Sequence, residues 1–144
     1  MVVAAQLDRT TIYFVAASRT PTDRDYQHLL RFRTELRRFL RWSEEQAEVE
    51  GLTPAQHQLL LAVRGSRDPL GATIKEVADA LFLRHHTATE LVDRAEAGGL
   101  LRRSRDDDDH RVVRLHITRA GGAKLTRLSR QHLDELQRLR AGIL

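Results

Sequence analysis

Hydrophobic residues recur every three or four positions in five stretches of the chain, a period that predicts amphipathic helices. The first stretch covers residues 21–48, where Thr20 or Thr22 can cap the helix and Pro21 suits its first position. Such a helix is about 42 Å long, longer than the diameter of about 37 Å expected for a compact globule of this size. We therefore expect a second subunit to cover its apolar face. The members of that face are Leu29, Phe32, Leu36 and Phe39, flanked by Leu30, Leu40 and Trp42.

Two shorter helices follow, each with a clear start signal. Thr53 is placed to cap the second helix and Pro54 to occupy its first position. Residues 66–72 predict a loop, after which Thr73 and Glu76 form a capping box at the start of a short third helix. The expected inward positions are Ala55, Leu59, Leu60 and Val63 in the second helix, and Ile74, Val77, Ala78 and Leu81 in the third.

A fourth helix begins after a tight break at residues 82–84. It runs to Ala97 and stops at Gly98-Gly99, a common signal at helix C-termini. Its inward positions are Ala88, Leu91, Val92 and Ala95, and the opposite face carries His86, Thr89, Glu90 and Asp93, with His85 nearby.

Residues 100–105 and 111–118 predict two strands of a hairpin, because apolar and polar residues alternate in the second of them. The polar residues 106–110 form the turn between the strands. Thr118 then caps a last helix over residues 119–140. Its apolar positions are Leu125, Leu128, Leu133, Leu136 and Leu139.

Residues 1–20 form an N-terminal arm in this interpretation, and residues 11–18 fit either a short strand or an extended segment. No apolar run approaches the roughly 20 residues that span a bilayer, and the N-terminus lacks the basic segment of a signal peptide. We therefore expect a cytoplasmic protein that does not enter a membrane.

Composition narrows the function classes without selecting one. The chain of 144 residues has no cysteine, which excludes a disulfide framework and a thiolate nucleophile. Its net charge is +4, but residues 73–119 carry nine basic and nine acidic side chains and are neutral. Arginine supplies all but two of the basic residues, which suits phosphate binding but is also explained by a GC-rich genome. The net charge is therefore compatible with nucleic-acid binding but does not indicate it, so the evidence has to come from the spacing of motifs.

The order of the elements predicts a winged helix-turn-helix. The third helix, the tight turn and the fourth helix form the helix-turn-helix, and the hairpin that follows is the wing. In this arrangement the N-terminal side chains of the second helix of the motif meet base edges in a major groove. Those side chains are His85, His86, Thr87 and Thr89, whose ring nitrogens and hydroxyls donate or accept hydrogen bonds. Arg111 at the hairpin tip is placed to reach a neighbouring minor groove.

Short motifs also occur in a characteristic order along most of the chain. They are Leu52-Thr53-Pro54, Leu91-Val92-Asp93-Arg94, Gly98-Gly99-Leu100-Leu101-Arg102-Arg103, Asp109-x-Arg111 and Leu115-x-Ile117-Thr118-x-x-Gly121. Each is weak alone, but in this order and spacing the chain from Thr22 to Arg140 resembles the MarR (multiple antibiotic resistance regulator) family of winged-helix transcription factors.

The resemblance implies a mainly α fold with a small β-hairpin wing, in one domain over residues 21–144. Helices 21–48 and 119–144 would form a homodimer, and residues 52–118 would form the winged head, with the wing at about 100–118. It further implies a repressor that binds double-stranded DNA at a pseudo-palindromic operator. A small aromatic or acidic effector would release the DNA by entering the cleft between the dimer helices and the head. We expect no cofactor and no resident metal.

The resemblance also assigns roles to individual residues. Arg94 would contact phosphate or brace the recognition helix, and Arg111 would enter the minor groove with Asp109 orienting it. The major-groove contacts implied are His85, His86, Thr87 and Thr89.

Three departures from the family pattern affect DNA contact. Arg84 stands where relatives usually have a serine that caps the fourth helix. An arginine cannot cap the helix, but it can bind phosphate. Glu90 stands where an arginine is common. The DNA contact of that arginine is therefore either lost or replaced by a hydrogen bond that Glu90 accepts from a cytosine amino group. The run Asp106–Asp109 stands where one or two acids are usual and would repel phosphate unless the side chains turn away. We therefore expect weaker and more salt-sensitive DNA binding than is usual in the family.

Several of these residues also have a simpler structural interpretation. The run 106–109 would suit a magnesium site, but a solvated turn is favoured because metal catalysis needs carboxylates from separate elements. His85 and His86 do not face the same way on a helix, so we expect no shared metal there. A regulatory zinc site built from distant histidines and acids stays open. Surface or interface positions are favoured over a ligand cleft for His28, Arg31, Trp42 and His57.

Two other classes of function compete with DNA binding. A winged-helix module that binds another protein would explain the neutral charge of residues 73–119, Glu90 and the aspartate run. An enzyme would need a Gly-rich phosphate loop, a nucleophile–base pair or a metal signature, and we find none in the sequence. We therefore predict a regulator and not an enzyme.

Overall fold

The computed structural model of the protein describes residues 19–143. Within that range the chain forms five helices and three strands, in the order α1 (Asp23–Val49), α2 (Pro54–Arg64), β1 (Ala72–Thr73), α3 (Ile74–Leu81), α4 (His85–Ala97), β2 (Leu101–Arg105), β3 (Val113–Ile117) and α5 (Arg119–Ile143). The predicted mainly α architecture with a hairpin wing is confirmed. The strand or arm proposed for residues 11–18 lies outside the described residues.

Helix α1 begins with a capping box. The Thr22 hydroxyl accepts a hydrogen bond from the Asp25 N–H, and the Asp25 carboxylate accepts one from the Thr22 N–H at 2.7 Å. Pro21 therefore lies before the helix and not at its first position, a correction to the sequence prediction. The reciprocal bonds satisfy two N–H groups that the first turn leaves without helical partners.

Helix α2 starts as predicted, with Thr53 and Gln56 forming a capping box and Pro54 in the first turn. Its inward face differs from the prediction. Leu59 and Leu60 are fully buried, but Ala55 is exposed and His57, expected at the surface or an interface, is 3 % exposed. The reason is tertiary: α1 and α5 both pack across the first turns of α2, so the buried stripe is rotated toward His57.

The helix-turn-helix forms as predicted. Thr73 and Glu76 satisfy each other's backbone N–H groups at the start of α3, and Val77 and Ala78 are buried. Phe82 adopts a left-handed conformation, with φ of 54°, to turn the chain into α4. The four inward positions predicted for α4 are all buried; they are Ala88, Leu91, Val92 and Ala95.

The wing is a three-stranded antiparallel sheet in the order β1-β3-β2. Arg103 pairs with Leu115 in the hairpin, while Ala72 pairs with Leu115 from the other side. Strand β1 was not predicted, because residues 66–72 carry turn signals and only two residues extend. Leu115 is 1 % exposed, since all three strands and α2 surround it.

Helix α5 returns from the wing to lie along α1. The Thr118 hydroxyl accepts a hydrogen bond from the Gly121 N–H and donates one to the Gly99 carbonyl, which confirms Thr118 as the start of the helix. Lys124 and Arg127 bind Glu50 at the corner between α1 and α2. The helix continues past the predicted end, to Ile143. Among the described helices none is long and apolar enough to span a bilayer.

Candidate nucleic-acid interface

The N-terminus of α4 is open toward solvent. Arg84 occupies the cap position with extended backbone angles, and its side chain makes no capping hydrogen bond. The first N–H groups of α4 therefore keep free hydrogen-bonding capacity, and the helix dipole adds positive potential at the same place. Arg84 itself is exposed, so a guanidinium and a helix terminus both favour an anion here.

The four predicted base-contacting residues occupy the first turn and a half of α4. His85 and His86 are exposed, whereas Thr87 and Thr89 are half-buried. The Thr89 hydroxyl donates to the His85 carbonyl at 2.9 Å, which leaves its lone pairs to accept. Nε2 of His86 lies 3.6 Å from the Glu90 carboxylate, so Glu90 shares the exposed face that the histidine presents.

A cavity of about 310 Å³ connects the recognition helix to the wing. His85 of α4 and Arg111 of the wing line it together with Lys75 from the first turn of α3. Three elements thus direct cationic or polar side chains to one place. Lys75 was missed in the sequence analysis, because nothing in its spacing shows that α3 begins beside the wing.

Two of the four aspartates in the wing run are paired with neighbouring arginines. Asp106 is only 9 % exposed, and its Oδ2 lies 2.9 Å from Nε of Arg114. Asp109 accepts hydrogen bonds from Nε and Nη2 of Arg111 at 3.0 and 3.2 Å. The expectation of a solvated turn is therefore wrong for Asp106, while Asp107 and Asp108 are exposed as expected.

The same contacts lower the pKa of the Asp106 and Asp109 carboxyl groups. Backbone N–H donation from Asp109 and the guanidinium of Arg114 hold the pKa of Asp106 below its ordinary value. The guanidinium and N–H of Arg111 do the same for the pKa of Asp109. Both carboxylates are therefore charged and already paired at neutral pH, which reduces the repulsion of phosphate inferred from the sequence.

The far end of α4 is tied to the wing through acidic residues. Asp93 and Glu96 both bind Arg103 of β2, and Glu96 also accepts the Arg103 N–H at 2.9 Å. Arg94 is exposed and directs Nε toward the Glu90 carbonyl at 3.4 Å. It lies about 14 Å along the helix from His85, so the structure does not bring it to the cavity that His85 and Arg111 share.

A second, larger cavity lies between the head and α5. It has a volume of about 800 Å³, and its apolar wall includes Val63, Leu115 and Leu125. Three exposed arginines stand around it: Arg64, Arg102 and Arg130. An apolar floor with a cationic rim suits a small ligand that carries both an apolar body and a negative charge.

Three comparisons with known proteins agree with this geometry. The family model described as MarR family matches residues 50–112, which span α2, the helix-turn-helix and the first half of the wing. The fold matches AbsC, a MarR family transcriptional regulator from Streptomyces coelicolor, with a TM-score of 0.70 at 19 % identity over 88 % of this chain and 85 % of AbsC. Together these matches support a MarR family winged-helix regulator.

Two further matches are a curated relative and a solved complex with DNA. It is 28 % identical over 83 residues to the HTH-type transcriptional regulator PecS of Dickeya dadantii, covering 58 % of this chain. That alignment spans only half the length of PecS. The fold also matches the S. aureus MepR–DNA complex, with a TM-score of 0.66 at 21 % identity over 76 % of this chain and 80 % of that chain.

Proposed function

We propose that this protein is a DNA-binding transcriptional regulator that acts in the cytoplasm as a homodimeric repressor. The observation that carries the proposal is the convergence of Lys75, His85 and Arg111 beside the uncapped N-terminus of α4. A helix terminus with cations from two other elements is suited to a phosphate backbone and the groove beside it. MepR, which shares the fold, is described as a complex with DNA.

In this proposal α4 enters a major groove and the wing follows the adjacent backbone. His85, His86, Thr87 and Thr89 read base edges, and Glu90 accepts from a cytosine amino group. Arg84 and Arg94 contact phosphates on either side, and Arg111 enters a minor groove with its guanidinium held by Asp109.

The terminal helices support the dimeric form. Exposed apolar residues lie along both of them, although single-chain proteins rarely expose large contiguous apolar surface. They are Tyr26, Leu29, Leu30, Phe32 and Leu40 in α1, and Leu133 and Leu136 in α5. We propose that a second copy covers these residues and sets the two recognition helices about 34 Å apart, one turn of the double helix.

We further propose that the cavity of about 800 Å³ receives the effector. It lies between α5, a proposed dimer helix, and the head, so a ligand there is placed to change the angle between them. Arg64, Arg102 and Arg130 favour an acidic ligand. Such a ligand shifts the DNA-bound state only by the difference in its affinity for the two geometries.

Selection of bound fragments from sheared genomic DNA tests the proposal. The purified protein is incubated at about 100 mM salt, and again at about 50 mM, where phosphate contacts are stronger. We expect enrichment of an inverted repeat. Arg111→Ala and His86→Ala should each weaken binding, by about fivefold to a hundredfold if each loses a base contact. Asp107→Asn, an exposed change in the same wing, is the control that should not weaken it.

Binding of a protein partner is the alternative function. Asp107 and Asp108 at the wing tip, and Glu90 and Asp93 on α4, are exposed acids on the surface that would face DNA. If no fragment is enriched at either salt concentration by a correctly folded dimer, the DNA-binding proposal is wrong and this alternative takes its place.

A further inference from the structure

We propose that Arg114 is a positioning residue that sets the direction of Arg111 and joins the wing tip to the loop bordering the large cavity. This inference rests on the proposed DNA-binding function, in which Arg111 is the contact and Arg114 acts through it. In the sequence, Arg114 has no visible role beyond its place in the alternation of residues 111–118.

The Arg114 side chain is mostly enclosed and donates three hydrogen bonds. It is 14 % exposed, and its Nε donates to Asp106 Oδ2 at 2.9 Å. Its Nη1 donates to Asp68 Oδ2 at 2.7 Å and to the Gly71 carbonyl at 3.1 Å. A planar guanidinium with several fixed acceptors admits little change in orientation, so it holds the groups that bind it in a defined relation.

On the wing side the hydrogen bonds continue from Asp106 to Arg111. Asp106 Oδ1 accepts the N–H groups of Asp108 and Asp109, both at 3.0 Å. Asp109 then accepts the N–H, Nε and Nη2 of Arg111. One oxygen of Asp106 thus anchors the turn to Arg114, and the other shapes the turn that carries Arg111, which is itself 90 % exposed.

On the other side the contacts reach the loop of residues 66–71. Asp68 Oδ1 accepts the Leu70 N–H at 3.0 Å, while Oδ2 binds Arg114. Asp68 and Gly71 both line the cavity of about 800 Å³. A movement of this loop therefore reaches the wing tip through Arg114, which places the proposed effector cavity and the proposed minor-groove contact on one set of hydrogen bonds.

The loss of a negative charge and the loss of positioning predict opposite effects of Asp68→Asn on DNA affinity, which makes it the decisive variant. Asparagine keeps an oxygen for the Leu70 N–H but loses the ion pair with Arg114. Loss of a negative charge alone would strengthen DNA binding. Loss of positioning would weaken it, and networks of this kind typically change affinity by about 2- to 30-fold. Asp107→Asn removes the same charge from an exposed residue of the wing and serves as the matched control.

Two measurements on the full chain test the proposal. The first is ¹⁵N relaxation of the amides of residues 106–111 without DNA. We expect order parameters near 0.85 in the parent protein and in Asp107→Asn, and below about 0.6 in Asp68→Asn. The second is affinity for a duplex of about 30 base pairs, long enough for two half-sites, carrying the selected repeat. Asp68→Asn should bind less tightly than the parent protein, and Asp107→Asn equally or more tightly.

A double-mutant cycle separates positioning from a general structural effect. In the Arg111→Ala background, Asp68→Asn should no longer weaken binding, because the residue through which it acts is gone. Unchanged wing relaxation in Asp68→Asn, with helical content and melting temperature preserved, would overturn the proposal. If the parent protein binds no DNA, the proposed function fails, while the relaxation measurement still decides whether Asp68 and Arg114 hold the wing.

Discussion

The imidazole of His57 packs edge-on against that of His132, with ring centroids 4.8 Å apart, where α1, α2 and α5 meet. Nδ1 of His132 lies 2.7 Å from the Leu128 carbonyl, which only accepts, so this nitrogen carries a proton. Nε2 of a neutral His132 then accepts from the Ser43 hydroxyl at 2.7 Å. Nδ1 of His57 is buried without a hydrogen-bond partner. The head is thus joined to both terminal helices through two packed imidazole rings.

This junction predicts a loss of stability in mild acid. Burial, and secondly the neighbouring His132, lower the pKa of His57 below its ordinary 6.5. The unfolded chain therefore binds a proton at a higher pH than the folded chain does. The stabilising contribution is complete above pH 6.5 and is lost as the pH falls from there through the lowered pKa. Urea unfolding at a series of pH values measures it.

The variant His57→Leu isolates this contribution. It removes the titrating group and an unpartnered nitrogen from a buried site, so we expect equal or greater stability at neutral pH and a flatter profile on mild acidification. His110→Gln, at an exposed position of the wing, should leave the profile of the parent protein unchanged. The aspartates with lowered pKa lose their contribution only below about their ordinary 3.8, outside the same window. A parent-like slope in His57→Leu would disprove the assignment.

Two adjacent glycines in α5 should respond oppositely to alanine. A Cβ on Gly121 would overlap the Leu100 carbonyl oxygen and lie 2.9 Å from its carbon, whereas one on Gly122 would meet only Ile117 at 3.7 Å. We expect Gly121→Ala to cost about 1–3 kcal/mol by overpacking. Gly122→Ala should be neutral or stabilise by up to about 1 kcal/mol, because alanine favours a helix interior. Chemical denaturation followed by circular dichroism compares them; equal free energies of unfolding would contradict the close packing.

The left-handed residue of the helix-turn-helix offers a stabilising change. Phe82 has φ of 54° and is 96 % exposed, so it carries backbone strain without burying its ring. Phe82→Gly should raise the free energy of unfolding by about 0.5–1 kcal/mol, after the greater entropy of glycine in the unfolded chain is subtracted. Phe82→Ala keeps the strain and should be close to neutral. A destabilised Phe82→Gly variant would show that the ring makes a stabilising contact.

Charged substitutions on the terminal helices should separate the proposed dimer. Leu29→Asp in α1 and Leu136→Asp in α5 would each bury a carboxylate in the interface, which is costly without a partner. We expect sedimentation to show a shift from dimer to monomer at micromolar concentrations. Leu70→Asp changes an exposed leucine in the loop before β1 and should sediment like the parent protein. A parent chain that sediments as a monomer would refute the dimer directly.

Local signals in the sequence determined the helical frame. Thr53-Pro54 and the Thr73–Glu76 box specify the starts of α2 and α3, because a capping box is made by residues three positions apart. The spacing of Ala88, Leu91, Val92 and Ala95 specifies the buried face of α4 for the same reason, since helical period is a local property. The alternation in residues 111–118 likewise specified the hairpin, within two residues at its start.

Only the tertiary structure decided which polar groups are enclosed. Arg114 meets Asp68 across 46 positions and Ser43 meets His132 across 89, so no local pattern shows that Asp106 is neutralised or that His57 is buried. The four consecutive aspartates look equivalent in the sequence, and the contact with Arg114 distinguishes Asp106 from its neighbours. Strand β1 was missed likewise, because two residues become a strand only when β3 supplies the hydrogen-bond partners. Periodicity is a property of a segment, whereas burial and ion pairing depend on which segments meet.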